Sequence, residues 1–269
     1  MEENDTNLRT ISNELRDNMN WTPPLSFEEK LKKLLLPTSL YLRILVKKKL
    51  RKGESELHFL SFMTNKNKGS IDIGANKGVF TYLLSKMSNK IHAFEPNPKM
   101  YSILKNARIK NTLTYKVALS DKSGITELLV PMNVKTNKFS NQGASLSKVK
   151  VSGASRSVQV EEKTLDSYKF ENIGFIKIDV EGYEMQVLKG AKNTLIKNKP
   201  VLMIELEEGH TKRPIEDLIR EVEEYGYKAL FLKKKQLTDI SLFDPDRNHR
   251  NPKNREDYVF NFIFLPVKN

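Results

Sequence analysis

The stretch Ile71-Asp72-Ile73-Gly74-Ala75-Asn76-Lys77-Gly78-Val79-Phe80 runs from an apolar strand through two glycines straight into an apolar helix. Such a turn brings backbone close to a ligand at a helix N-terminus. Glu95 closes the next apolar run, 17 residues beyond Gly78, where a carboxylate can accept both hydroxyls of a ribose. Two ligand chemistries compete for this loop. A nicotinamide dinucleotide wants glycine at the second position of G-x-G-x-x-G, so that backbone can lie beneath the diphosphate, and Asn76 stands there instead. Asp72, just before the loop, suits a ligand that carries an ammonium group. An ordinary strand-to-helix turn would need the same glycines for its geometry alone; the paired Glu95 argues against that plainer reading.

A second group of residues suits proton transfer. Asp179 and Glu181 follow the apolar run 175–178, Glu205 and Glu207 end the run 201–206, and His210 lies in the loop beyond. In a doubly wound sheet these positions fall on the rim where ligands bind. Asp179 is the first candidate to orient or deprotonate a ligand group there, with Glu181, Glu205 and His210 behind it. The same carboxylates could instead hold a divalent cation through hard oxygen ligands. Plainer roles stand beside these: Lys177 as a salt-bridge partner, Glu184 at a helix N-terminus or in solvent, and His210 as a structural loop histidine.

Those residues require a scaffold that presents strand ends along one edge. Apolar runs at 70–73, 91–94, 113–118, 175–178, 201–206, 228–232 and 259–265 alternate with helical periodicity at 79–87, 99–110, 183–197 and 215–225. The alternation predicts an α/β, Rossmann-like fold with a mostly parallel seven-stranded sheet and helices on both faces. Residues 124–163 break the pattern, with strand-like pieces at 125–130 and 158–160 around a Ser-, Asn- and Lys-rich stretch where a crossover helix is expected. The last two runs have only the polar loop 244–257 between them, which predicts an antiparallel pair.

Ahead of this domain, residues 1–65 read as an arm and helical extension, leaving 66–269 as the main domain. Residues 1–25 are polar and aperiodic, a loose arm. Ser26 and Glu29 form a capping box for a helix with Leu31, Leu34 and Leu35 on one face, stopped by Pro37. The run 40–46 leads into Lys47, Lys48, Lys49, Arg51 and Lys52, and 54–63 offers Leu57, Leu60 and Phe62 to a core. Leu40, Tyr41, Ile44 and Leu45 form an apolar face beside those cations. That pairing predicts either a peripheral contact through Leu40 to Lys52 with an anionic membrane, or packing on the main domain or on a second subunit.

Composition narrows the classes. With 46 Lys and Arg against 33 Asp and Glu, the 269-residue chain carries a formal charge of +13. This suits an acidic partner or a lysine-solvated surface. The absence of cysteine removes disulfides, thiolate metal sites and a cysteine nucleophile. No run approaches the roughly 20 apolar residues of a membrane span. The N-terminus lacks a signal-peptide core, which makes the cytoplasm the expected compartment.

Several phrases in order resemble the FkbM family of methyltransferases: the loop 71–78, Ala93-Phe94-Glu95-Pro96-Asn97-Pro98, Val117-Ala118-Leu119-Ser120-Asp121 and Thr164-Leu165-Asp166. Ile176-Lys177-Ile178-Asp179-Val180-Glu181-Gly182-Tyr183-Glu184 and Leu188-Lys189-Gly190-Ala191 follow. The likeness spans residues 54 to 232 and is carried most by Lys-x-Asp-x-Glu-Gly-x-Glu. It implies a class I methyltransferase fold and an S-adenosylmethionine-dependent O-methyltransferase, acting on a sugar hydroxyl of a glycan, glycolipid or related precursor. By position it implies Asp72, Gly74, Ala75, Asn76 and Gly78 around the methionyl part of that cofactor. Glu95 would bind the ribose with Asn97 beside it, and Ala118 would lie against the adenine. Two rivals remain: an RNA ribose methyltransferase, favoured by charge but lacking a legible RNA-binding module, and an inactive binding protein that keeps the fold. The first 50 residues and the insertion around 132–157 match nothing in the family pattern, and the insertion is where substrate choice is expected.

Overall fold

The computed structural model describes residues 21–52, 55–136, 138–141, 143–151 and 153–267; the arm at 1–20 lies outside them. Helices α1 (Phe27–Leu35), α2 (Thr38–Lys52) and the short α3 (Leu60–Met63) come first. The capping box forms as read, Ser26 N–H donating to Glu29 Oε2 at 2.7 Å and Glu29 N–H to Ser26 Oγ at 3.2 Å. Residues 21–25 are pinned rather than loose. The Trp21 ring packs edge-on to Phe139 at 5.1 Å and beneath the Arg156 guanidinium at 4.3 Å, and Lys99 Nζ donates to the Pro24 carbonyl at 2.9 Å.

α2 carries apolar residues on more than one stripe, and packing selects Leu42 and Val46. These two, one turn apart, join Leu57, Leu60 and Met63 against Phe80, Leu83, Ile91 and Phe175. The apolar face expected on this helix is therefore split. Tyr41 and Leu45 are half-buried, while Leu40 and Ile44 stay exposed at 43% and 52%. Phe62, expected in the core, is 84% exposed and Met63 fills that place.

The strands then build two sheets. β1 (Gly69–Ile73), β2 (Ile91–Phe94) and β3 (Thr112–Tyr115) run parallel, and β4 (Ala118–Leu119) leaves the main sheet. β5 (Gly124–Asn133), β6 (Lys138–Phe139) and β7 (Ser155–Lys163) form with β4 a separate four-stranded sheet ordered β4-β7-β5-β6. The strand-like pieces at 125–130 and 158–160 fall in β5 and β7, which pair as a long antiparallel hairpin in place of a crossover helix. β8 (Ile173–Ile178), β9 (Val201–Glu205), β10 (Tyr227–Lys233), β11 (Gln236–Asp239) and β12 (Asn261–Pro266) complete the main sheet. Its order is β11-β10-β12-β9-β8-β1-β2-β3. All seven expected runs join it. β10 and β12 pair antiparallel as read, and β11 adds an eighth, edge strand through a hairpin.

Helices cover both faces: α4 (Val79–Leu84), α5 (Pro98–Asn106), α6 (Glu184–Lys189), α7 (Lys192–Asn198), α8 (Glu208–Thr211) and α9 (Ile215–Glu223). α9 shows the cause plainly: Ile215, Leu218, Ile219 and Val222 recur at helical spacing and are all buried. The expected helix 183–197 is two helices broken at Gly190. The strand order reverses between β1 and β8, so the loops after these two strands frame the crevice where such sheets bind ligands.

Candidate active site

The glycine loop is fastened to its neighbours by its own amides. Gly74 and Ala75 N–H both donate to the Phe94 carbonyl, at 3.0 and 2.9 Å, and Gly78 N–H donates to the Ala75 carbonyl at 2.8 Å. Asn76 N–H donates to Glu95 Oε2 at 2.7 Å. Four N–H groups that a diphosphate would want are therefore spent inside the protein. Gly74 sits at φ +78°, and a Cβ there would fall 1.7 Å from the Asp179 carbonyl. Only glycine lets the β1 and β8 loops touch.

Glu95 is 6% exposed and lines the cavity between these loops. Its second oxygen accepts the Asn97 N–H at 2.8 Å. Burial pushes its carboxyl up to about 7, against the two backbone N–H groups that favour the ionised form. Asn97 spends its side-chain oxygen capping α5, accepting from Lys99 and Met100 N–H at 3.0 and 3.4 Å.

The other wall comes from β8. Lys177 is 3% exposed within that strand, its ammonium 2.8 Å from Asp179 Oδ2 and 4.6 Å above the Phe80 ring centroid. Burial opposes its charge, but the Asp179 and Asp72 carboxylates hold its pKa above the usual lysine value. Asp72 is fully buried: Thr81 Oγ1 donates to one oxygen at 2.5 Å, and the other has no partner among the described residues. Burial raises its pKa and Lys177 opposes the shift.

Beyond Asp179 the backbone turns left-handed at Glu181, φ +58°, and again at Gly182, φ +98°. A non-glycine residue held there costs about 1 kcal/mol or more and needs support from its surroundings. The support is visible. Glu184, buried at 2% exposure, accepts the Val180 and Gly182 N–H groups on one oxygen at 3.1 and 3.0 Å. Ser145 Oγ donates to the Glu181 carbonyl at 2.6 Å, and Lys150 Nζ pairs with Glu181 Oε2 at 2.9 Å.

Asp179, Glu181, Glu205 and Glu207 make this end of the crevice acidic. Burial, with Asp179 and Glu181 close by, holds the Glu205 carboxyl far above its usual range, so it is protonated at neutral pH and donates rather than accepts. Burial lowers His210, which stays neutral, with Glu207 opposing the shift. An ammonium can only donate, so the Lys150 contact on His210 Nε2 occupies the basic nitrogen of that ring. Glu181, Glu205 and His210 bring ligand-type atoms within 4.8 Å of one another, an arrangement a divalent cation uses. Lys150 lodges its ammonium against two of the three.

One cavity gathers Gly74, Ala75, Asn76, Glu95, Ala118, Asp179, Glu181 and Glu205 from the expected set. Asp72, Gly78, Asn97 and His210 lie behind it: Asp72 beneath the loop, Gly78 and Asn97 at helix starts, His210 against the Gly182 backbone. The insertion supplies part of the wall through Asn141, Ala144, Ser145 and Leu146, and α2 adds Leu45 and Lys49. Lys150, Ser145 and Asn141 were not singled out from the sequence, where their Ser- and Lys-rich stretch carries no period.

Comparison with known proteins identifies the family. Over 155 residues the chain is 29% identical to the hexuronic acid methyltransferase AglP of Haloferax volcanii, an alignment covering 56% of this chain and 60% of that protein. The fold matches the crystal structure of the methyltransferase FkbM from Methylobacillus flagellatus with a TM-score of 0.50 at 15% identity, over 78% of this chain and 47% of that one. The chain thus spans less than two thirds of either relative. The family model of the methyltransferase FkbM domain matches residues 72–229, from the buried Asp72 under the glycine loop to β10. With more than half of its length inside that match, and both facing loops within it, the chain belongs to the FkbM methyltransferase family.

Proposed function

We propose that the protein is an S-adenosylmethionine-dependent O-methyltransferase whose acceptor is a sugar hydroxyl of a glycan, glycolipid or related precursor. The observation that carries this reading is that Glu95 and Asp179, from strands on either side of β1, face one cavity. The cavity suits the cofactor. Glu95 offers a carboxylate to the ribose hydroxyls, and Ala118 gives a small apolar wall for the base. A loop whose amides are spent favours a ligand with an ammonium group over one with a diphosphate. When bound, the cofactor supplies an electrophilic methyl group on a sulfonium.

The chain's own residues then have simple tasks. Asp179, held by Lys177 at 2.8 Å, would orient the acceptor hydroxyl and take the proton released when that oxygen is methylated. Protonated Glu205 donates a hydrogen bond to a neighbouring acceptor oxygen, and Glu181 accepts one. The acidic rim also separates the rival substrates: RNA would bring phosphates against the carboxyl groups of Asp179, Glu181 and Glu207, whereas a sugar brings hydroxyls that pair with them. AglP, as a hexuronic acid methyltransferase, supports a carbohydrate acceptor.

The test is a screen with methyl-labelled cofactor against hexuronic acid oligosaccharides, neutral oligosaccharides and RNA. Label is expected on an oligosaccharide and to survive mild alkali, as an ether does. Loss of label under alkali would assign the methyl to a carboxyl group instead, and label on RNA alone would refute the sugar acceptor.

A further inference from the structure

The outer face of α1 and α2 has no part in the site. On α1, Leu31, Leu34 and Leu35 are exposed at 45%, 82% and 67%, and on α2, Leu40 and Ile44 at 43% and 52%. Residues three or four apart share a helix face, so Leu40 and Ile44 lead along α2 into Lys47, Lys48 and Arg51. Ile44, Lys47, Lys48 and Arg51 border one shallow surface depression. All three cations are exposed, and among the described residues none of them pairs with a carboxylate. The inward side of the same helix is already filled, Leu42 and Val46 by the core and Leu45 by the cavity.

We propose that this face docks the protein on an anionic phospholipid bilayer, with the leucines and Ile44 entering the headgroup boundary and Lys47, Lys48 and Arg51 meeting lipid phosphates. Charge selects the occupant. A second copy using the same face in a two-fold contact would set one cation cluster beside the other, whereas an anionic surface supplies the opposite charge along the whole stripe. Exposed Leu40 and Ile44, in line with three cations on one helix, form the pattern of a helix lying in a membrane interface. The same helix forms part of the cavity wall through Leu45 and Lys49, so docking fixes the distance between that wall and the lipid. The inference goes beyond the proposed reaction and does not depend on it.

The test is sedimentation of the full chain with vesicles of phosphatidylcholine alone, or with about 30 mol% phosphatidylglycerol to supply the anionic surface. Wild type is expected to pellet with the anionic vesicles at about 0.1 M salt, stay in solution with the neutral ones, and be released at about 1 M salt, where screening is short-ranged. Neutralising Lys47, Lys48 and Arg51 to Gln removes three contacts worth about fivefold each, so partition falls on the order of 10²-fold. Leu34→Ser with Leu35→Ser and Ile44→Ser is expected to lower binding to anionic vesicles as well, with thermal unfolding unchanged because these side chains are exposed. Equal pelleting with neutral vesicles overturns the proposal, as does binding unaltered by either variant. A dimer in vesicle-free buffer that the Leu34, Leu35 and Ile44 variant dissolves overturns it too, by naming a second copy as the occupant.

Discussion

Glu95 ties cofactor affinity to pH, and the effect has a calculable size. Its carboxyl stands near 7 without ligand because burial outweighs the Asn97 and Asn76 N–H bonds. Ribose hydroxyls donating to it favour the ionised form, so binding lowers that pKa. Affinity is then full above about 7 and falls about tenfold per pH unit below it, until the pKa of the bound state is reached. A return from about 7 to the ordinary 4.5 spans 2.5 units, roughly 300-fold or about 3 kcal/mol. Calorimetry of S-adenosylhomocysteine between about pH 5 and 8, in buffers of different ionisation enthalpy, should show nearly one proton released near pH 6. Glu95→Gln should bind about 10²–10⁴-fold more weakly at pH 8, from two lost charge-assisted bonds of ~1.5–3 kcal/mol each, and should lose the slope. A wild-type affinity flat across that range refutes the ribose assignment. A slope that persists in the variant moves the titration to another group, with buried Asp72 the first to examine. Stability runs the other way: the folded protein binds more protons than the unfolded chain between 4.5 and about 7, so without ligand it loses up to ~3 kcal/mol as pH rises through that window.

Two further variants test the other wall. Asp179→Asn keeps the shape but cannot take a proton, so turnover should fall at least tenfold and up to the ~10²–10⁴ of proton-transfer effects, while S-adenosylhomocysteine binds as before; unchanged turnover assigns the base elsewhere. Lys150→Ala removes the ion pair that steadies left-handed Glu181 and frees His210 Nε2. The acceptor KM should rise with cofactor affinity unaltered, and an unmoved KM would remove Lys150 from the acceptor site.

The main sheet was legible because its central strands are buried on both faces and bounded by turn residues. Every residue of β1 and β2 is buried, and a run of that kind has few other readings. The run 113–118 was read as one strand, but the chain leaves the sheet after Tyr115 and its last residues enter another. A run of apolar residues shows burial and does not show which sheet provides it. α2 failed in the same way. Its sequence offers several apolar stripes, and only the neighbours Phe80 and Ile91 decide that Leu42 and Val46 face inward.

The site was legible in its phrases more than in its roles. Within Lys177 to Glu184, only Asp179 and Glu181 present carboxylates to the cavity; Lys177 neutralises, Gly182 makes room for the His210 backbone, and Glu184 holds two amides of the turn. Asp166 likewise binds the N–H groups of Asn193 and Thr194 at 2.9 and 2.7 Å, fixing α7. Such a phrase is specific because each member is fixed by backbone it must touch, which leaves little freedom in type or spacing. The acceptor wall has no such constraint. Asn141, Ser145 and Lys150 reach the crevice from a hairpin that β5 and β7 support from behind, and the loop between those strands can change length and sequence without disturbing the sheet. Residues that select the acceptor therefore sit where the sequence carries no period, while the residues that hold the cofactor and the base sit where backbone contacts dictate them.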